Sequence, residues 1–226
     1  MAATVREIYE HAVDNYNQQK FDDAITLYQD ILKEAPNFAP AYVGIGLSLK
    51  AKGADTEEVL HYYNEAVAHD PTNLQALEQL GRLYYGLNQF DKAERIFLKC
   101  LKINPLQPDI QQALAWVYLL GKSKPELAIK YFKAAGQSNK SDTLYGLGMA
   151  YFASNQRVEA MDMMMQLRSG GFDDYAKRLE DAIRQNRRVV LDDPDHPAVA
   201  DDAGQATSSV KSGIKVRLRG KLSELN

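Results

Sequence analysis

The residues able to do chemistry in this sequence are few and scattered. Of the four histidines, His11, His61, His69 and His196, no two stand one helical turn apart with a carboxylate between them, as a His-Glu-x-x-His metal site requires, so no metal site is expected. The single cysteine, Cys100, has no partner for an intramolecular disulfide. It falls with Ala93, Ile96, Phe97 and Leu101 on one apolar helical face and reads as a core thiol, not a nucleophile. Gly44-Ile45-Gly46 and Gly146-Leu147-Gly148 begin like a dinucleotide fingerprint, but Leu49 and Tyr151 stand where its third glycine belongs, and no strand pattern precedes either. Asp192-Asp193-Pro194-Asp195 has carboxylates without the glycine turn and closing glutamate of a calcium loop. No acid, base, nucleophile or metal constellation is left, so the sequence predicts a non-enzyme with no cofactor and no small-molecule substrate. Met161, Met163, Met164 and Met165 are polarisable side chains suited to adaptable contacts; Met161 and Met164 match core positions, which leaves Met163 and Met165 for a partner.

The elements that would carry any site are bounded by composition. The chain has 226 residues, 45% hydrophobic and 25% charged, with a formal net charge of -3. That is the composition of a water-folded globular chain with no general attraction to nucleic acid or anionic lipid. No apolar run approaches the roughly 18 residues a membrane span needs. Arg6, Glu7, Glu10 and Asp14 break any apolar leader in residues 1–16, so a cytoplasmic, unprocessed protein is expected.

The chain repeats itself. Small residues at Ala12, Gly46, Gly81, Ala115 and Gly148 are separated by 34, 35, 34 and 33 positions. A second column, Ala24, Val59, Ala93, Ala128 and Ala160, and a third, Tyr28, Tyr63, Phe97, Phe132 and Met164, step by 35, 34, 35 and 32. Pro36, Pro71 and Pro105 close the first three units. In the clearest unit the apolar residues fall at helical spacing on either side of Gly86, Asn88 and Gln89, so each unit is a pair of helices joined by a short turn and therefore antiparallel. Asp22, Thr56, Asp91 and Ser123 are expected to start second helices. The small-residue column lies where first helix meets second, because a larger side chain would hold the backbones apart. The second and fourth units each carry one extra residue, expected to lengthen a loop without altering the fold.

Leu80-Gly81 followed by Tyr84, Ala93, Phe97, Cys100 and Pro105 resembles the tetratricopeptide repeat at its 34-residue period. The resemblance runs from about Val5 to Leu167. It implies an all-α, right-handed superhelical solenoid of five antiparallel helix pairs over residues 5–188, first helices lining a concave groove. A half-polar segment at 172–183 reads as the cap helix a solenoid needs over its last apolar face, and Thr4 and Glu7 have capping-box spacing. The family's geometry further implies that first-helix residues left free by the core columns face a partner: Tyr9, Val13, Tyr16, Leu47, Arg82, Tyr85, Gln112, Trp116, Tyr145, Met149 and Phe152. Tyr, Trp and Arg are hot-spot types. The lysines, asparagines and arginine with which some family members clamp a C-terminal carboxylate have no counterpart at the matching positions, so that class of partner is not expected.

Residues 189–226 differ in composition. The stretch 192–209 holds five aspartates, two prolines and no basic residue, and reads as an unstructured linker. Beyond it Ile214, Val216 and Leu218 alternate with Lys215, Arg217 and Arg219, followed by Lys221; alternation predicts an extended segment, able to add to a sheet edge, lie in a groove or touch an acidic surface. The function this sequence predicts is a protein–protein interaction scaffold or adaptor that holds a partner segment in its groove. The alternative places function in the tail, through an acidic partner, nucleic acid, a membrane surface or self-association by tail–groove docking.

Overall fold

A computed structural model describes residues 4–136 and 140–184. All the elements in these residues are helical, and they divide into two compact units, one ending at Pro105 and the other beginning at Leu106.

The N-terminal unit holds three helix pairs: α1 (Val5–Asn17) with α2 (Phe21–Glu34), α3 (Ala39–Ala51) with α4 (Thr56–His69), and α5 (Leu74–Gly86) with α6 (Phe90–Ile103). Successive pairs also pack on one another, α2 on α3 and α4 on α5. Thr4 starts α1 through a complete capping box: its backbone N–H donates to Glu7 Oε2 at 2.7 Å, and the Glu7 N–H donates to Thr4 Oγ1 at 3.3 Å. The C-terminal unit holds α7 (Pro108–Trp116), continued by a π-helical turn (Val117–Gly121), α8 (Pro125–Ala135), α9 (Lys140–Ala153), α10 (Arg157–Ser169) and α11 (Asp173–Arg184). There α11 packs on both α9 and α10, and Ala176 and Leu179 are its fully buried residues.

The repeat columns become the cores of both units. Of the fifteen residues in the three columns, Met164 alone is not buried. A Cβ added at Gly46 would come within 2.5 Å of the Tyr63 ring, and one at Gly81 within 2.5 Å of the Phe97 ring. The glycines are thus seats for the aromatic residue of their own second helix. Gly44 and Gly146 do the same for the preceding helix, taking the rings of Tyr28 and Phe132. At Gly148 the space is filled by Leu179 of α11. Leu179 therefore does at the last pair what the Tyr63 and Phe97 rings do at Gly46 and Gly81, and Met164 is left half-buried.

Three local expectations are corrected. The extra residue of the second unit lengthens its turn to 52–55, but that of the fourth unit stays inside the helix: Lys122 N–H bonds Val117 O at 3.0 Å across five residues, so the insertion is absorbed as a π turn. Ser123 does not cap α8. It occupies the turn in left-handed conformation (φ 52°), as do Gln19 (61°), Asn88 (57°), Asn155 (62°) and Gly53 (74°) at the same place in the other pairs. The cap positions fall instead on Lys20, Asp55, Gln89, Lys124 and Gln156, none with a side-chain cap bond, while Asp22, Glu57, Asp91 and Glu126 lie in first turns, where a carboxylate complements the helix dipole. Met161 is 49% exposed. On a helix it stands about 100° around from Ala160, and α10 buries only Ala160 and Leu167.

Candidate partner-binding surfaces

In the N-terminal unit the first helices leave several of the expected contact residues accessible. Tyr9, Val13, Tyr16, Leu47 and Tyr85 are half-buried and Arg82 is exposed. Each aromatic ring is braced by another. Tyr9 lies 5.7 Å from Tyr28 and edge-on to Phe38 at 5.5 Å, Tyr16 lies 5.6 Å from Phe21, and Tyr85 is edge-on to Phe90 at 5.9 Å. Rings so held lose little further freedom when a partner covers them. Arg82 is pre-positioned by Glu78, one turn back, whose Oε1 accepts from its Nε at 3.0 Å.

The corresponding residues of the C-terminal unit are placed differently. Gln112, Trp116, Tyr145, Met149 and Phe152 are all buried, between 4% and 9% exposed. Asp142 in the first turn of α9 is 3% exposed, and its Oδ2 accepts from Trp116 Nε1 at 3.1 Å and from Gln112 Nε2. The indole is edge-on to Phe132 at 5.1 Å and lies 6.3 Å from Tyr145, which in turn lies 5.5 Å from Tyr175 of α11. One polar knot and one aromatic row thus join α7, α8, α9 and α11. Sequence reasoning missed Asp142: in the first turn of a helix a carboxylate is ordinarily a solvated dipole partner, and nothing in the spacing marks this one as buried.

Cys100 is fully buried, and burial, followed by the nearby Glu78 carboxylate, pushes its thiol up to about 11. Among the described residues no group of three His, Cys, Asp or Glu side chains could hold a metal ion, and no helix is long and apolar enough to cross a membrane. Ile214, Lys215, Val216, Arg217, Leu218, Arg219 and Lys221 lie outside the described residues.

Stacked antiparallel helix pairs with their polar work confined to packing and surface contacts define a protein-interaction scaffold. Models of the tetratricopeptide repeat match residues 9–73, 49–117 and 142–169, and the chain belongs to that family. Among curated proteins it is similar to superkiller protein 3 of Schizosaccharomyces pombe, 23% identical over 67% of this chain and 11% of that protein. It is also similar to lipopolysaccharide assembly protein B of Escherichia coli K12, 25% identical over 77% of this chain and 51% of that one. The chain spans about half the length of these relatives or less. Among solved structures it shares its fold with MamA, with TM-score 0.63 and 18% identity, covering 84% of this chain and 99% of that one. It shares it also with YrrB, described as a TPR protein with an unusual peptide-binding site, with TM-score 0.68 and 16% identity, covering 79% and 92%.

Proposed function

We propose that this chain is a non-enzymatic adaptor that binds an extended or helical segment of a partner protein along its first helices. The observation that carries this reading is that the first helices of the N-terminal unit bear braced, half-buried aromatics, Tyr9, Tyr16 and Tyr85, and an exposed arginine, Arg82. These are the residue types that dominate binding hot spots when a partner desolvates them. Val13 and Leu47, also half-buried on first helices, add apolar area. In the C-terminal unit, taken by itself, Gln112, Trp116, Tyr145, Met149 and Phe152 are its candidate contacts, Gln112 and Trp116 being held by Asp142. Their burial means that a partner reaches them only by displacing what covers them. A solved relative by fold is described as having a peptide-binding site, in keeping with a peptide-like ligand. One cysteine in 226 residues agrees with a reducing compartment, and we place the protein in the cytoplasm on that ground.

Affinity capture from native lysate with the full chain, set against the double variant Tyr85→Ala and Arg82→Ala, tests the reading. Arg82 is exposed and Tyr85 half-buried with its hydroxyl covered, so helical circular dichroism of the variant is measured alongside, and with that signal kept, proteins retained by the parent chain should be lost. Retention of the same proteins at the same yield rejects the first-helix surface.

A further inference from the structure

The outer face of α10 departs from the repeat. Val158, Met161 and Met165 follow one another at spacings of three and four, which on a helix keeps them within about 60° of arc. They are 79%, 49% and 57% exposed. Counted from the second column, the other second helices place Asp22, Glu57, Asp91 and Glu126 where α10 has Val158, and Gln29, Asn64, Leu98 and Lys133 where it has Met165. The fold therefore does not require an apolar stripe there, and large apolar side chains left in water forgo the stabilisation that burial supplies.

This stripe lies beside the point where the chain leaves α11. A Cβ at Gly148 of α9 would meet Leu179 of α11 and, at 3.3 Å, the Cβ of Met163 on α10, so Leu179 and Met163 stand at one height in the unit. Residues 170–172 alone join α10 to α11, and the two pack on each other, so they run antiparallel. Val158 is five residues before Met163 and Arg184 five after Leu179, a rise of about 7.5 Å in each case. The end of α11 therefore stands level with Val158. Arg168, which pairs with Glu180 of α11, is about 20° around α10 from Met161, so the stripe borders α11.

Beyond Arg184 the sequence runs Gln185, Asn186, Arg187 and Arg188, then Val189, Val190 and Leu191, before Asp192 and Asp193. We propose that segment 189–191 turns back from the end of α11 and docks on the α10 stripe of its own unit, its apolar side chains covering Val158, Met161 and Met165. Five to seven residues of chain reach about 17–24 Å at full extension. The stripe rises only about 10 Å, so the segment reaches all of it. A second copy or a free partner would have to overcome the entropy of association for a contact of three side chains. A segment on so short a tether acts instead at an effective concentration on the order of millimolar. Met165, which spacing leaves for a partner, then has its cover in its own chain.

Two measurements on the full chain test this. With methyl-labelled Met, Val and Leu, the methyl groups of Met161 and Met165 should show nuclear Overhauser effects to those of Val189, Val190 and Leu191. Hydrogen peroxide then probes the same thioethers, transferring one oxygen to an accessible sulfur with release of water. In the variant carrying Val189→Ser, Val190→Ser and Leu191→Ser, Met161 and Met165 should oxidise at least about threefold faster than in the parent chain. The buried Met149 should keep its rate; a variant that unfolds exposes Met149 as well, and the methyl contacts of the parent chain then decide. Absence of those contacts, or equal oxidation of Met161 and Met165 in parent and folded variant, overturns the proposal. So does oxidation of the parent chain that slows as its concentration rises from about 10 to about 200 µM, which would put a second copy on the stripe.

Discussion

The indole Nε1 of Trp116 on α7 donates to Oδ2 of Asp142 on α9 at 3.1 Å, and Gln112, one turn before Trp116, donates to the same oxygen. The bond ties two first helices whose residues are 26 positions apart in sequence. Trp116, which spacing offers to a partner, is 4% exposed in the free chain. Asp142→Ala would leave two buried donors without this acceptor, a loss of about 1–3 kcal/mol for the C-terminal unit. Trp116 is the sole tryptophan, so urea unfolding followed by its emission reads the loss directly. An unchanged midpoint would remove the bond from the list of things that hold this unit together.

Gly81→Ala tests the aromatic seats. Its Cβ would meet the Phe97 ring at 2.5 Å, and Phe97 is fully buried, so ring or backbone must move. Overpacking of this kind costs about 1–3 kcal/mol. The double variant Gly81→Ala with Phe97→Leu should recover part of that cost, since the smaller side chain vacates the space; thermal denaturation of the two variants measures the coupling.

The left-handed turn residues make a prediction of opposite sign. Ser123 and Asn88 hold φ of 52° and 57°, a conformation that costs an L-residue about 1–2 kcal/mol. The second pair already has Gly53 there (φ 74°). Ser123→Gly should raise the melting temperature and Gly53→Ala should lower it. Equal shifts of one sign would show that the turns do not carry this strain.

The capping box gives α1 a pH dependence. Hydrogen bonds from the backbone N–H of Thr4, and then from its hydroxyl, hold the Glu7 carboxyl below its ordinary value of 4.5. A carboxylate depressed in the folded state stabilises above its unfolded value, and that contribution is lost as pH falls through the folded one. In the parent chain the protection of the amides at residues 5–8, taken relative to their intrinsic exchange rates, should fall as the Glu7 carboxylate is protonated in acid. In Glu7→Gln the exchange should lose this acid step.

Cys100 should behave as buried packing. With its thiol pushed up to about 11, iodoacetamide at pH 8 should leave the folded chain unmodified and label it once it is unfolded in guanidinium. Rapid labelling of the folded chain would mean that α6 opens far more readily than its packing implies.

Much of this protein follows from its sequence alone. The 34-residue period, the helix pairs and the burial of Ala12, Gly46, Phe97 and their equivalents are local facts of spacing: a 3.6-residue period decides which side of a helix is apolar, and an apolar side must be covered. What covers it is a different matter. That Leu179 of α11 fills the space at Gly148, that an inserted residue becomes a π turn in one pair and a loop in another, that Met161 faces outward, and that Trp116 turns to a buried Asp142, all depend on contacts between residues distant in the chain. Spacing fixes the face of each helix. Only the packed tertiary structure decides which neighbour meets that face, because several side chains compete for each gap and the close-packed arrangement selects one of them.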